Sequence, residues 1–225
     1  MCDYRDYMLK ETSRVRESVE WTRNYAYNAT DLDSPRVLMI GDSICNNYHD
    51  EVRKNLANCV NVSYWASSKC VTDPDYLREL EFHLESRPHQ MITFNNGLHS
   101  LTTDENEWKE AYELTLRYIQ AKVPDAKLYV VLSTAMRGPG NDIAKRINAN
   151  TMEIVEKLGL PYIDLFTPMD AIDKETGMSD SYHFRGPAVL VQAEIMANTI
   201  REALQPTKED LIQQGTETGP EGRLD

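Results

Sequence analysis

The sequence has no long apolar run. Its longest ones, such as Leu128-Tyr129-Val130-Val131-Leu132, are strand-sized and exclude a membrane-spanning helix. Positive charge is also in short supply: 24 Lys and Arg stand against 36 Asp and Glu, a net charge of −12. With no local basic patch, this balance excludes nucleic acid and anionic membrane surfaces as partners, and a neutral substrate suits it better than a polyanion. The four cysteines, Cys2, Cys45, Cys59 and Cys70, are scattered, with no C-x-x-C and no histidine at ligand spacing. They read as free thiols, which leaves neither a disulfide framework nor a metal site to expect. No basic stretch followed by an apolar one opens the chain, so no signal peptide is read and the cytoplasm is the expected compartment.

What is present is an ordinary globular composition. With 225 residues and 41% hydrophobic content, the chain can bury one sizeable core. Residues from Tyr4 to Tyr27 carry an incomplete apolar stripe, Met8, Val15, Val19 and Trp21, which predicts a helix. Residues 1–35 are therefore expected to form a helical arm that covers the core or pairs two copies as a homodimer. From Arg36 onward strands and helices alternate. Strands are expected at Arg36–Ile40, Val60–Trp65, Gln90–Phe94, Lys127–Leu132 and Pro161–Leu165, and helices at Tyr48–Leu56, Asp73–Leu84, Asp104–Lys122, Ile143–Leu158 and Pro187–Leu204. That order implies a parallel sheet covered on both faces in a domain spanning 36–205. Residues 206–225 read as a polar tail.

The first of these strands ends in Gly41-Asp42-Ser43. A serine at the rim of a parallel sheet is a candidate nucleophile, while the same tripeptide reads equally well as a turn that caps the next helix. Ligands of such sheets bind at the carboxyl ends of the strands. Two further polar clusters fall there or in the last long loop, Asn95-Asn96-Gly97-Leu98-His99-Ser100 and Asp180-Ser181-Tyr182-His183. Between them the clusters hold the serine, base and carboxylate that acyl transfer uses.

With these residues in this order, the chain resembles the SGNH, or GDSL-like, hydrolase superfamily from Arg36 to Leu204. The first block matches Gly41-Asp42-Ser43-Ile44 and the last matches Asp180-Ser181-Tyr182-His183. The resemblance implies a flavodoxin-like α/β/α sandwich with a five-stranded parallel sheet, Ser43 as nucleophile, His183 as general base and Asp180 as its orienting partner, with no cofactor. The two middle blocks depart from the family. Gly97-Leu98-His99-Ser100 stands where Gly-x-Asn-Asp is usual, which places His99 at the position of the oxyanion-binding Asn; the other reading of His99 is a loop cap. The second block has no glycine, and Ser68, or Ala66 or Ser67 under a register shift, is its counterpart as a backbone donor beside the Ser43 amide. The literal Gly140-Asn141-Asp142 follows the fourth strand and is read as a helix cap.

Pocket candidates, chosen for their places near strand ends and site loops, are Asp42, Trp65, Asn95, Asn96, Arg137 and Tyr182. The leading expectation is an esterase removing a short acyl group, most plausibly acetyl, from a carbohydrate or small alcohol. A lipid esterase or thioesterase, and a non-catalytic carbohydrate-binding protein on the same scaffold, are the alternatives.

Overall fold

The computed structural model describes residues 2–204, and the expected polar tail lies outside them. Six strands form one sheet: β1 (Thr22–Ala26), β2 (Arg36–Gly41), β3 (Asn61–Ser67), β4 (Met91–Phe94), β5 (Lys127–Val131) and β6 (Tyr162–Ile163), in the order β1-β3-β2-β4-β5-β6. All pairs are parallel except β1 with β3. Strand β2 is central and buried along its whole length, as its unbroken Val37-Leu38-Met39-Ile40 run requires.

Among the described residues seven α-helices complete three layers: α1 (Ser43–Asn55), α2 (Tyr76–Glu85), α3 (Glu105–Lys122), α4 (Gly140–Leu158), the short α5 (Phe166–Asp170) and α6 (Lys174–Gly177), and α7 (Pro187–Leu204). Helix α1 packs on α7 against one face of the sheet, and α2, α3 and α4 pack in series on the other. Right-handed crossovers from β2 outward in both directions give that division.

The amino-terminal segment corrects the expected helical arm. Only a 3-10 turn at Tyr4–Tyr7 is helical; the chain then runs extended as a strap and enters the sheet as β1, antiparallel to β3. The stripe that suggested a helix is broken, and the β-prone Thr22, Tyr25 and Tyr27 find a partner in the otherwise open edge of β3. This sixth strand also explains why Asn61–Ser67 is buried on both faces.

The strap is anchored at several points. Arg14 and Asp73 form an ion pair of 3.2 Å whose side chains are 3% and 0% exposed. Ser13 bonds Glu107 through both its amide and its hydroxyl, and Thr102 Oγ1 donates to the Val15 carbonyl. Trp21 and Ser68 bond each other in both directions. These contacts hold the strap across the loops that follow β3 and β4, where the sheet presents its carboxyl edge.

Candidate functional site

Strand β2 ends at Gly41, where a Cβ would lie 2.6 Å from the Cβ of Cys45, so only glycine lets the strand turn this tightly into α1. Asp42 then caps the helix, its Oδ1 accepting from the Ile44 amide at 2.8 Å. Helix α1 therefore begins at Ser43, five residues earlier than the sequence suggests, because this cap outweighs the poor helix formers Asn46 and Asn47. Ser43 occupies the first helical position, and its amide has no acceptor within the helix. The cap reading and the nucleophile reading of Gly41-Asp42-Ser43 thus describe different residues: Asp42 caps, and Ser43 is left facing the sheet edge.

Across from it stands the loop between α6 and α7. His183 Nε2 lies 2.7 Å from Ser43 Oγ, and His183 Nδ1 lies 2.7 Å from Asp180 Oδ2. The other carboxylate oxygen of Asp180 accepts from the amides of Tyr182 and His183, each at 2.8 Å. Burial acts to raise the Asp180 carboxyl, but the Tyr182 amide, the His183 ring and the His183 amide outweigh it, so Asp180 sits below the ordinary carboxylate range. An ionised Asp180 accepts the Nδ1 proton and leaves Nε2 of a neutral His183 free to accept from the serine hydroxyl.

The loop is braced from several sides. Met178 and Phe184 pair as an antiparallel bridge, and both sit in a small apolar cluster with Ala135, Met169 and Ala188. Arg137 donates from Nη2 to the carbonyls of Lys174 and Met178, while its amide donates to the Ser181 carbonyl. Arg137 thus braces the loop through Nη2 and its amide and does not line the groove beside Ser43, which corrects its reading as a substrate contact.

Four other pocket candidates are corrected in the same way. Trp65 is 1% exposed and donates its indole N–H to Thr22 Oγ1, because the added strand β1 covers it. Asn96 is buried, accepting from the Val71 amide and donating to the Lys69 carbonyl. Asn95 braces β4 to β5 through the Val131 carbonyl and Ser133 Oγ. Asp42 is buried under its cap. Tyr182 alone of the six is exposed, beside the His183 ring. Of the Gly140-Asn141-Asp142 decoy, Asn141 bonds the Met136 amide and Asp170, tying α4 to α5.

The second block does not supply the expected donor. The Ser68 amide donates to the Trp21 carbonyl, and the following amides of Lys69, Cys70 and Val71 are taken by Ser67 Oγ, Asp73 and Asn96. The strap uses the Ser68 N–H, so Ser68 is withdrawn as an oxyanion donor. His99 stands in the 3-10 turn Leu98–Ser100 after β4, the strand paired with β2, and Asn95 continues that pairing through the Ile40 carbonyl. A Cβ at Gly97 would collide with Ser133 Oγ, which fixes how closely this turn approaches the β5 loop.

An open groove of about 580 Å³ runs beside Ser43 and His183, lined by Asn46, Asn47, Glu51, Arg185 and Leu190. Sequence reading missed these residues. With α1 started at Ser43, the spacing of Ser43, Asn47 and Glu51 by four places all three on one helical face, and the mistaken helix start hid that signal. Among the described residues no group of three or more His, Cys, Asp or Glu is placed to hold a metal ion, and no helix is long and apolar enough to cross a membrane.

No protein-family model and no curated protein matches the sequence. Solved structures do. An acetyl xylan esterase superposes with a TM-score of 0.63 at 14% identity, over 73% of this chain and 99% of the other. A protein from Slackia heliotrinireducens described as an SGNH hydrolase gives 0.61 at 14% identity, over 75% of this chain and 100% of the other. A family two carbohydrate esterase from Clostridium thermocellum, solved in complex with cellohexaose, gives 0.60 at 16% identity, over 77% of this chain and 65% of the other.

Proposed function

We propose, from a fold that is that of the SGNH/GDSL-like hydrolases, that this chain is a serine esterase that removes a short acyl group, acetyl above all, from a carbohydrate or related small alcohol. The observation that carries the reading is the continuous hydrogen-bonded line from Asp180 through His183 to Ser43, with Ser43 at the start of α1 and at the edge of the groove.

His183 Nε2 takes the proton as Ser43 Oγ attacks the ester carbonyl, and Asp180 steadies the imidazolium that forms. The oxyanion is met by the Ser43 amide, aided by the positive end of the α1 dipole, and by the His99 ring. Each such donor is worth about 3 kcal/mol of transition-state stabilisation. His183 then returns the proton to the leaving alcohol, and water repeats the sequence on the acyl-enzyme. The carboxylate of Glu51 suits the hydroxyls of a sugar, with Tyr182 as an exposed ring beside the base, while Asn46 and Asn47 shape the groove and are held by Tyr64 and the Phe184 carbonyl. A net charge of −12 favours a neutral acceptor over a polyanionic one.

Acetate release from a panel of acetylated xylo- and cello-oligosaccharides tests the substrate class. The reading expects release from at least one glycan at rates above those for long-chain aryl esters. Turnover confined to long-chain esters would make the protein a lipid esterase instead.

A further inference from the structure

A second hollow, of about 420 Å³, lies between β1 and α2 and shares no lining residue with the groove beside Ser43. Thr22 and Asn24 line it from the strand, and Arg78, Phe82 and His83 from the helix. We propose that this hollow is a separate, non-catalytic binding site for a neutral sugar unit of a glycan, with Phe82 as the ring on which the sugar stacks.

Strand alternation puts Thr22 and Asn24 on one face of the sheet, the face that α2 covers. There the buried Trp65 donates to Thr22 Oγ1, His83 stacks on Trp65 with ring centroids 4.9 Å apart, and Phe82 meets His83 edge-on at 5.2 Å. A row of rings thus runs from the sheet out to Phe82, which is 68% exposed. Helix α2 buries Tyr76, Leu77, Leu80 and Leu84, so Phe82 lies off the face that packs on the core. A lone exposed phenylalanine needs no explanation, but this one stands at a hollow among unused polar groups.

Among the described residues the Asn24 side-chain amide and the Arg78 guanidinium have no hydrogen-bond or ion-pair partner, and Thr22, already an acceptor for Trp65, keeps its hydroxyl proton to donate. Burial lowers His83 to about 4, so its ring adds no charge at neutral pH. The two acids of the hollow are held, Asp75 by Lys69 at 2.6 Å and Arg16 at 2.9 Å, and Glu79 by the same Lys69. An anion would face those carboxylates, whereas a hydroxyl can donate to them and accept from Asn24 or Arg78. A sugar offers a C–H face for the ring and a rim of hydroxyls for these groups. Thr22 pairs with Ser67 and Gly41 with Ala66, so the hollow reaches the carboxyl edge two strand spacings, about 10 Å, from the strand that delivers Ser43.

The test is calorimetric titration of the full chain with unacetylated cellohexaose and xylohexaose, which carry no ester to cleave. Wild type, Phe82→Ala, Phe82→Tyr, Asn24→Ala and Leu190→Trp are compared, the last narrowing the groove beside Ser43, with thermal midpoints measured alongside. Wild type is expected to bind at least one oligosaccharide. Phe82→Ala should weaken that binding on the order of tenfold, Asn24→Ala should weaken it too, and Phe82→Tyr and Leu190→Trp should preserve it. Turnover of an aryl acetate should be unchanged in Phe82→Ala. Titration does not read turnover, so a chain that binds through Phe82 but is never labelled at Ser43 loses the esterase reading and keeps this site. No binding of either oligosaccharide by wild type, full affinity in Phe82→Ala, or a loss confined to Leu190→Trp would each overturn the proposal.

Discussion

Asn47 Nδ2 donates to the Phe184 carbonyl at 2.9 Å, and this one bond ties the helix that Ser43 opens to the loop that carries His183. The two partners of the proposed proton transfer come from elements 140 residues apart in sequence, so their 2.7 Å separation depends on such ties. Replacing Asn47 by Ala removes the tie without touching Ser43 or His183. We expect kcat on an aryl acetate to fall tenfold to roughly a hundredfold, the scale set by misplacement of reacting groups by about 1 Å. The fold should survive, because a single hydrogen bond contributes about 1 kcal/mol. An unchanged kcat at an unchanged thermal midpoint would show that the loop holds itself.

Asp180→Asn probes the orienting carboxylate. An amide there can present its NH2 to Nδ1, which moves the His183 proton to Nε2, where it can no longer accept from Ser43. The expected loss in kcat is about 10³ to 10⁴-fold with the fold intact. A loss of less than tenfold would mean that the Asp180 contact is structural.

Acid stability follows from two histidines far from the site. Burial lowers His83 to about 4, and burial together with Arg36 and Arg87 lowers His89 to about 4, against an ordinary value of 6.5. Between those values the unfolded chain binds protons that the folded chain refuses. Stability is therefore fully present above pH 6.5 and falls as the pH drops toward 4. Thermal midpoints taken across that range should decline on acidification, and His89→Gln should flatten the decline. A midpoint constant from pH 7 to 4 would contradict the burial account.

The parts legible in the sequence were those carried by local pattern. The apolar run of β2 with its Gly-Asp-Ser ending, and the Asp180-to-His183 spacing, each lie within a few residues, and the α/β alternation needed only periodicity. The strap was misread because an extended segment with scattered apolar residues mimics a weak amphipathic helix until β3 is seen to need a partner. That single error left Trp65 and the Ser68 amide falsely available at the site. The pocket candidates Asn95, Asn96 and Arg137 were rightly sought near strand ends. Which way a side chain turns there is decided by hydrogen-bond needs of neighbouring loops, and those needs have no local sequence signature.

The central claim, that Ser43 is a nucleophile activated by His183, is tested most directly by intact-mass and peptide analysis after treatment with a fluorophosphonate. The account predicts one adduct per chain, on Ser43, lost in Ser43→Ala and formed far more slowly in His183→Ala. No adduct on the wild-type chain would contradict it and leave a binding protein on a hydrolase scaffold, and an adduct that persists in Ser43→Ala would contradict it by placing the reactive nucleophile elsewhere.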